Sequence, residues 1–335
     1  MEYRILGKTG LKISRLGFGG IPIQRIDAEG TRTLIHKMMD LGINYIDTAR
    51  GYTVSEEYLG YALEGIREHF VIATKSMART KEAMAADIET SLKNLRTDYI
   101  DLYQVHNPSS EQLQQVMAPG GALEALQEAK AAGKIGHIGL TAHSLEVFKT
   151  ALDLDWVETF MFPYNIVESQ GEKLIAECAK RNIGFVDMKP LAGGAIEDAT
   201  LALRYICTND AVTVVIPGMA EIQELEQNMA AVNNTAPITP EEKDAFLEVR
   251  NQLGTNFCRR CNYCQPCSAG INISGCFLFD GYLQRYGLGD WAKGRYEAMP
   301  KHAGDCVGCG ACEDRCPYNL PIREMLKGVA QRFGK

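Results

Sequence analysis

The chain has 335 residues, 46% hydrophobic residues and a formal net charge of -7, which suits a globular protein with a large core and disfavours nucleic acid or an anionic membrane as a partner. No run of about 18 apolar residues occurs, so no membrane-spanning helix is expected. The first residues lack the apolar stretch of a secretory signal, and closely spaced cysteines are typical of metal ligands in cytosolic proteins, so a cytoplasmic location is predicted.

Short β-rich runs alternate with helical segments from Tyr3 to about Asn234. In one helical segment Met84, Ile88 and Leu92 fall on a single face, at steps of four residues. Because each β-rich run is followed by such a segment, we expect parallel strands, and eight units predict an α/β fold closed into a (β/α)8 TIM barrel. The eight predicted strands are Leu16–Gly19, Tyr45–Thr48, Phe70–Lys75, Ile100–His106, Gly136–Thr141, Thr159–Tyr164, Gly184–Lys189 and Thr213–Pro217.

Two further segments flank the barrel. Tyr3–Leu6 and Leu11–Ser14 surround a Gly-Lys-Thr-Gly turn, which predicts a hairpin that closes the bottom of the barrel. After the last strand, Thr239 followed by Glu241 and Glu242 predicts the start of a helix. Beyond Leu253 the composition changes, since nine of the 11 cysteines lie from residue 258 to residue 316.

The second cysteine run reads Cys306-Val-Gly-Cys309-Gly-Ala-Cys312-Glu-Asp-Arg-Cys316-Pro317. This is the C-x2-C-x2-C-x3-C-P spacing of bacterial ferredoxins, in which three thiolates bind one [4Fe–4S] cluster and the fourth binds the other cluster. The small residues between the cysteines let the backbone approach the inorganic sulfides and donate N–H groups to them.

The first run reads Cys258-Arg-Arg-Cys261-Asn-Tyr-Cys264-Gln-Pro-Cys267. Its last gap is one residue shorter than the ferredoxin spacing, and serine follows instead of proline. Crossed ligation predicts one cluster on Cys258, Cys261, Cys264 and Cys316, and another on Cys306, Cys309, Cys312 and Cys267. Because of the short gap, Cys276 is an alternative to Cys267.

Zinc is the competing interpretation of these cysteines. Zinc ribbons use paired C-x2-C units separated by a longer loop, whereas triplets followed by Cys-Pro favour iron–sulfur clusters. Cys178 and Cys207 lie in helical segments of the barrel and are expected to be small buried hydrophobic residues. The predicted organisation is a barrel over residues 1–236, a helical linker over 237–254, and a small ferredoxin-like domain of helices and loops over 255–335.

Barrel enzymes carry their chemistry at the C-terminal ends of the strands. Asp47, Lys75 and His106 end the second, third and fourth predicted strands, and Tyr52 follows in the loop after Asp47. A lysine cation lowers the pKa of a neighbouring tyrosine, an aspartate holds that lysine, and a histidine can orient a carbonyl. Together these groups can deliver a proton to a carbonyl oxygen while hydride reaches the carbon.

The segment Asp47-Thr48-Ala49-Arg50-Gly51-Tyr52, followed by Ser55-Glu56 and Leu59-Gly60, resembles the aldo-keto reductase signature D-T-A-x-x-Y-x-x-S-E-x-x-(I/L)-G. Lys75 and His106 match the remaining catalytic positions of that family. The resemblance implies a (β/α)8 barrel, a nicotinamide cofactor bound without a Gly-rich Rossmann loop, and Tyr52 as the general acid. With its C-terminal cysteines the chain is similar to ferredoxin-fused aldo-keto reductases.

The chain departs from the family pattern at the nicotinamide and phosphate positions. Thr141, Ala142 and Met161 stand where the resemblance implies Ser, Asn and Gln around the carboxamide, and Met188 stands where it implies a stacking tyrosine. Glu224 replaces the arginine of the phosphate site, and a carboxylate repels a 2′-phosphate, so NADH is favoured over NADPH. The candidate cofactor contacts are Gly20, Thr141, Met188, Lys189, Gly218, Met219, Gln227 and Asn228.

Three functions fit these observations. In the first, the barrel reduces a small carbonyl substrate with NAD(P)H, and the clusters are structural or sense redox state. In the second, a flavin occupies or joins the barrel, since hydride carries two electrons and a cluster takes one, and electrons pass between clusters and substrate or a ferredoxin-like redox protein. In the third, the barrel is a redox-responsive binding subunit without catalysis. The segment Asn107–Gly121 gives no information on the substrate.

Overall fold

The computed structural model describes residues 1–254 and 256–335. Its strands are β1 (Tyr3–Ile5), β2 (Lys12–Ser14), β3 (Phe18–Gly19), β4 (Tyr45–Asp47), β5 (Val71–Ser76), β6 (Ile100–His106), β7 (Ile135–Thr141), β8 (Thr159–Pro163), β9 (Gly184–Met188) and β10 (Val214–Ile216).

The helices of the same residues are α1 (Ala28–Asp40), α2 (Ser55–Ala62), α3 (Lys81–Asn94), α4 (Ser110–Met117), α5 (Ala122–Ala131), α6 (Leu145–Ala151), α7 (Glu172–Lys180), α8 (Ala199–Cys207), α9 (Ile222–Asn233), α10 (Pro240–Leu253), α11 (Ile273–Arg285), α12 (Gly289–Glu297), α13 (Ala311–Asp314) and α14 (Ile322–Phe333). None of them combines the length and the apolar character that crossing a membrane requires.

The predicted barrel is confirmed. Strands β3 to β10 form one parallel sheet in chain order, and its two edges meet, because the N–H groups of Gly17 and Gly19 donate to the carbonyls of Val215 and Pro217, both at 2.9 Å. All eight predicted strands are present, with ends that differ by up to two residues. The predicted helix around Met84 is α3, whose N-cap is the hydroxyl of Thr80.

The predicted hairpin is also confirmed, with β1 antiparallel to β2. Leu6 and Ile13 are fully buried and join the apolar cluster that fills the barrel interior. Gly7 has a φ of 54°, and a Cβ there would lie 2.2 Å from the backbone nitrogen of Gly184, the first residue of β9. The close approach therefore requires glycine and places the turn at the N-terminal end of the barrel, away from the strand ends that carry the candidate site.

The chain divides into two compact units. One contains residues 1–191 and 198–237, and the other contains residues 192–197 and 238–335. The second unit is helical and cysteine-rich, with an apolar core of its own that includes Ile271, Tyr296 and Val329. The helix predicted at Thr239 is α10, capped by the Thr239 hydroxyl. The proposed domain boundaries remain predictions, and residue 255 lies outside the described residues.

Candidate functional site

The four predicted barrel residues lie together at the C-terminal ends of β4, β5 and β6. The Lys75 ammonium donates hydrogen bonds to Asp47 Oδ1 at 2.5 Å and to the Thr48 carbonyl at 2.7 Å. It also lies 4.8 Å from the centroid of the Tyr52 ring. The rings of Tyr52 and His106 meet edge to face, with centroids 6.2 Å apart. The lysine cation is therefore fixed between a carboxylate and the tyrosine.

Burial and charge act in opposite directions on this pair. Asp47 and Lys75 are 3% and 1% exposed. Burial lowers the pKa of Lys75, and Asp47 opposes that effect. Burial likewise raises the pKa of Asp47, against the attraction of Lys75 and a hydrogen bond from Gln104. The hydrogen bond to Asp47 favours the charged form of Lys75, so an ammonium is held beside Tyr52 despite the burial.

Gln104 belongs to this site and was not predicted. Its Nε2 donates to Asp47 Oδ2 at 3.1 Å, and β6 pairs it directly with Lys75. The sequence carried a signal for it, because residues two apart in a strand share a face, and His106 follows Gln104 at that spacing. A fully buried amide beside the tetrad indicates that the aspartate orientation is fixed from two sides.

Part of the signature anchors the loop after β4. The Ser55 hydroxyl donates to the Gly20 carbonyl at 3.0 Å and lies 2.8 Å from the Thr48 hydroxyl. The Gly20 N–H in turn donates to the Asp47 carbonyl at 2.8 Å. These three bonds connect the end of β3 to the segment that carries Tyr52, and they hold the predicted cofactor residue Gly20 against the tetrad.

Glu56 is a buried structural acceptor. It is 1% exposed, and its two oxygens accept hydrogen bonds from Thr74 at 2.7 Å, Ser91 at 2.8 Å and Arg50 at 2.5 Å. A Cβ at Gly60, also in the signature, would lie 2.1 Å from a backbone carbonyl of Asn94. The second half of the signature therefore fixes α2 against β5 and α3.

The expected carboxamide cradle has no side-chain amide. The hydroxyl of Thr141 already accepts the Asn107 N–H at 3.0 Å. Ala142 and Met161 are completely or almost completely buried, and Met161 belongs to the apolar cluster inside the barrel. Met188, half-buried at the end of β9, packs against the same cluster. A cofactor here would meet a more apolar surface than the family pattern implies.

The Glu224 carboxylate caps the N-terminus of its own helix, α9. Its Oε2 accepts hydrogen bonds from the backbone N–H groups of Ala220 at 2.7 Å and Glu221 at 3.1 Å. These are donors that a phosphate at this helix N-terminus would use. The carboxylate therefore opposes a phosphate twice, by charge and by engaging its donors.

The remaining predicted cofactor residues differ in burial and in backbone conformation. Gly218 and Gln227 are exposed, whereas Asn228 is 4% exposed and Met219 is fully buried in the core. Lys189 has a φ of 59°, a left-handed conformation that is uncommon for lysine. These residues remain candidate contacts, with Met219 limited to its backbone atoms.

Four cysteines of the second unit line a common pocket, and they are those that crossed ligation predicts for one cluster: Cys267, Cys306, Cys309 and Cys312. Cys276 does not line it and is fully buried, and burial raises its pKa to about 12. The Ser268 hydroxyl, 3.4 Å from Cys309, is the main group that lowers the pKa of that thiol. Thiolates are the ligand form of cysteine, so this pocket has the donor set for a cluster.

The other four cysteines also influence one another. Burial raises the pKa of Cys264 to about 12, and the charges of Cys258 and Cys261 raise it further. Cys316, from the second run, acts in the same way on Cys261. Four thiolates gathered in this manner are electrostatically costly until iron neutralises them.

The two cysteine runs have the same backbone shape. Arg260 and Gly308 follow the first cysteine of their runs by two residues, and their φ angles are 55° and 72°. Asn262 and Gly310 follow by four residues, with φ angles of 65° and 81°. The two segments have different residues between their cysteines, yet left-handed backbone conformations occur at the same positions. This match indicates two equivalent binding loops.

Arg315 connects the two runs. Its guanidinium donates to the carbonyl of Ala311 at 2.9 Å and to those of Cys264, Gln265 and Pro266 at 2.8, 3.2 and 2.8 Å. The first carbonyl belongs to the second run and the others to the first run. Sequence reasoning missed this residue, because an arginine between two ligands carries no sign of such distant partners.

Paired C-x2-C units are typical of zinc ribbons, whereas the four cysteines that line one pocket come from both runs, as the crossed ligation of two clusters predicts. Of the barrel cysteines, Cys178 is fully buried as expected, whereas Cys207 is only partly buried and packs against the core.

Residues 15–200 match the model of the aldo/keto reductase family. The chain belongs to this family. Residues 257–321 match a 4Fe-4S dicluster domain. This aldo-keto reductase is therefore an oxidoreductase with a ferredoxin-like domain that implies two clusters.

Known relatives agree with this membership. The chain is 28% identical over 309 residues to L-galactose dehydrogenase of Arabidopsis thaliana, covering 74% of this chain and 95% of the relative. It is 33% identical over 201 residues to the aldo-keto reductase YhdN of Bacillus subtilis, covering 54% and 59%. The holo form of aldo-keto reductase AKR11C1 from Bacillus halodurans superposes with a TM-score of 0.64 at 26% identity, covering 74% of this chain and 96% of that one.

Proposed function

We propose that the barrel reduces an aldehyde or ketone with a reduced nicotinamide cofactor, and that Tyr52 is the general acid. The observation that supports this most is the buried Lys75 ammonium between Asp47 and the Tyr52 ring. When bound, the nicotinamide supplies hydride to the carbonyl carbon. Tyr52 gives its hydroxyl proton to the carbonyl oxygen, so the product is an alcohol.

The neighbours of Tyr52 make that proton transfer easier. A free tyrosine has a pKa near 10 and is a weak acid at neutral pH. The Lys75 cation stabilises the tyrosinate that remains, and Asp47 with Gln104 keeps the ammonium in place. His106, edge-on to the tyrosine ring, is positioned to orient the carbonyl or share its proton.

The same site supports NADH as the preferred cofactor. Gly20, Met188, Gly218, Gln227 and Asn228 are the residues that would hold the dinucleotide. Glu224 engages two backbone N–H groups at the start of α9, so a 2′-phosphate would face a carboxylate where it needs donors. NADH lacks that phosphate and avoids this repulsion.

For the second unit we propose one cluster on Cys258, Cys261, Cys264 and Cys316, and the other on Cys267, Cys306, Cys309 and Cys312. When bound, the clusters carry single electrons. The pocket that contains Cys267 but not Cys276 supports Cys267 as the eighth ligand. Arg315 and the left-handed backbone conformations at Arg260 and Gly308 hold the two loops in the shape that ligation requires.

Replacement of Tyr52 tests the proposal. The Tyr52→Phe enzyme, isolated anaerobically, should lose NADH oxidation with small ketones and aldehydes by at least about a hundredfold, the usual value of a general acid. Tyr61→Phe is the matched control, because Tyr61 bonds to Glu29 at 2.7 Å on an exposed helix face. Equal turnover in Tyr52→Phe and wild type would exclude Tyr52 as the acid.

A flavin- or ferredoxin-linked reaction on the same barrel is the second candidate. The observation that favours it is the absence of an amide side chain at Thr141, Ala142 and Met161, beside a matching dicluster domain. Anaerobic protein would then contain extractable flavin or reduce a viologen dye in the presence of substrate. If neither occurs while NADH-dependent turnover does, this candidate fails.

A further inference from the structure

A groove in the second unit lies between α11 and α14. Its cavity volume is about 410 Å³. Phe257 and Cys258 line one part of it, Phe277 and Arg285 belong to α11, and Met325 belongs to α14. Ligand sites commonly have about 300–1000 Å³. The groove is therefore large enough for a nucleotide-sized ligand.

Three arginines line the groove against two carboxylates, Asp280 and Glu324, and Glu324 pairs with Lys327 at 3.3 Å. Asp280 is already bound by Arg332 through two hydrogen bonds of 2.6 and 2.9 Å. Arg285 donates its Nε–H to the Gly193 carbonyl at 3.0 Å and forms no ion pair within the described part of the chain. Burial lowers the pKa of Arg285 against the opposing charges of Tyr286 and Asp280, and the charge of Arg260 adds a smaller lowering effect. Two guanidinium groups that repel each other in one groove attract an anion.

Apolar and aromatic residues form another part of the lining, beside the polar side chains of Asn256 and Gln284. Phe257 is 5% exposed, and the guanidinium of Arg260 lies 5.5 Å from its ring centroid. Phe277 and Met325 are half-buried on facing helices. Such walls suit a flat ring, while the arginines suit a phosphate, which they can bind with two parallel N–H groups.

We propose that this groove binds flavin mononucleotide or a ligand of the same class, with the ring on the apolar walls and the phosphate on Arg285. The position beside Cys258, an expected cluster ligand, favours a redox-active ring over other aromatic phosphates. Flavins also accept hydride and release single electrons, the conversion that would link hydride transfer to iron–sulfur clusters. The site is separate from the barrel residues proposed for carbonyl reduction.

Equilibrium binding tests the proposal on the full chain with its clusters, under anaerobic conditions. The quenching of flavin fluorescence would report binding of flavin mononucleotide, riboflavin and, by competition, AMP and NADH. Arg285→Gln should weaken flavin mononucleotide by roughly tenfold, the value of one charge-assisted bond, and change riboflavin by less than about twofold. Lys293→Gln is the matched control, since Lys293 is an exposed cation of α12 outside the groove lining.

Each outcome of these binding measurements either supports or overturns the proposed flavin site. Saturable flavin mononucleotide binding that depends on Arg285, persists in Tyr52→Phe and is not displaced by NADH supports the site. Displacement by NADH would place the flavin in the nucleotide site of the barrel and overturn it. Equal binding of AMP would show a general phosphate site without ring recognition, and no saturable binding would also overturn it. Unchanged iron content in Arg285→Gln shows that the clusters remain loaded.

Discussion

Arg260 and Gly308 have the same left-handed backbone conformation at the same step of two different cysteine loops. In one loop a glycine takes this conformation at little cost, and in the other an arginine takes it at a cost of roughly 1–2 kcal/mol. The ligand of the loop therefore determines the backbone conformation, because the intrinsic preference of the arginine opposes it. This relationship gives a direct test of the two binding loops.

Gly308→Val should impair the cluster of the second run, whereas Gly308→Asn should be nearly neutral. A Cβ at Gly308 would meet no atom within 4 Å, so the difference comes from backbone strain, which a β-branched residue suffers and asparagine tolerates. Iron and sulfide per chain after anaerobic purification measure the effect. Similar iron in all three proteins would mean that the positive φ is not needed for ligation.

Arg315→Gln should make both clusters more labile, because one guanidinium donates to carbonyls of both runs. We expect cluster loss in the presence of a chelator to accelerate by roughly tenfold, the effect of losing one or two net charge-assisted hydrogen bonds. Arg315→Lys keeps the charge but lacks the planar guanidinium with its several donors. Its rate of cluster loss should lie between those of wild type and Arg315→Gln. The decay of visible absorbance measures the rate, and a selective loss of half of the signal would contradict a shared support.

Glu224→Gln should shift the cofactor preference towards NADPH. The substitution removes a negative charge and loosens the hold on the N–H groups of Ala220 and Glu221, so kcat/KM for NADPH relative to NADH should rise by roughly tenfold, or about 1.4 kcal/mol. Glu226→Gln is the control, because Glu226 on the same helix pairs with Lys37 at 2.9 Å. An unchanged ratio in Glu224→Gln would remove the argument for NADH.

Glu158 should stabilise the barrel in a pH-dependent manner. It bonds to Lys130 at 2.6 Å, to His137 at 2.7 Å and to the Ile138 N–H at 2.9 Å. Although burial raises the pKa of Glu158, these partners together lower it from 4.5 to about 2. The full shift corresponds to roughly 3 kcal/mol, of which solvent screening leaves about 1–2 kcal/mol.

Because the folded pKa is the lower one, this contribution is complete above pH 4.5 and is lost as the pH falls through about 2. Glu158→Gln should therefore be less stable than wild type at pH 7, and the difference should shrink by more than half at pH 3. Urea unfolding of both proteins at each pH measures it. Glu128→Gln, which removes an exposed partner of Lys81, should show no such trend.

The sequence predicted the barrel well because its signals are local. Each strand is a short β-rich run, and strand order in a barrel follows chain order, so Asp47 and Lys75 could be placed on adjacent strand ends before any geometry was known. The cysteine spacing indicated clusters for the same reason. A loop that wraps a cluster needs ligands at fixed short intervals.

Features that depend on distant partners were not predictable in this way. Arg315 reaches carbonyls about 50 residues away in the chain, and the Glu224 carboxylate turns back onto its own helix start. Helix α4 was not predicted, although the capping box of Ser109 and Gln112 at its start is a local signal. Gln104 was overlooked because an amide in a buried strand is outweighed by the apolar residues around it.

The network around Glu56 has an evolutionary consequence. Of the signature residues, Asp47 and Tyr52 belong to the proposed catalytic group, whereas Ser55, Glu56 and Gly60 hold α2 in place. Selection for a stable barrel alone would preserve the second group, even in a descendant that no longer transfers hydride. The presence of the signature in a relative therefore indicates common ancestry and a stable fold rather than catalytic activity. The residues that contact Lys75 are better evidence that a relative still catalyses.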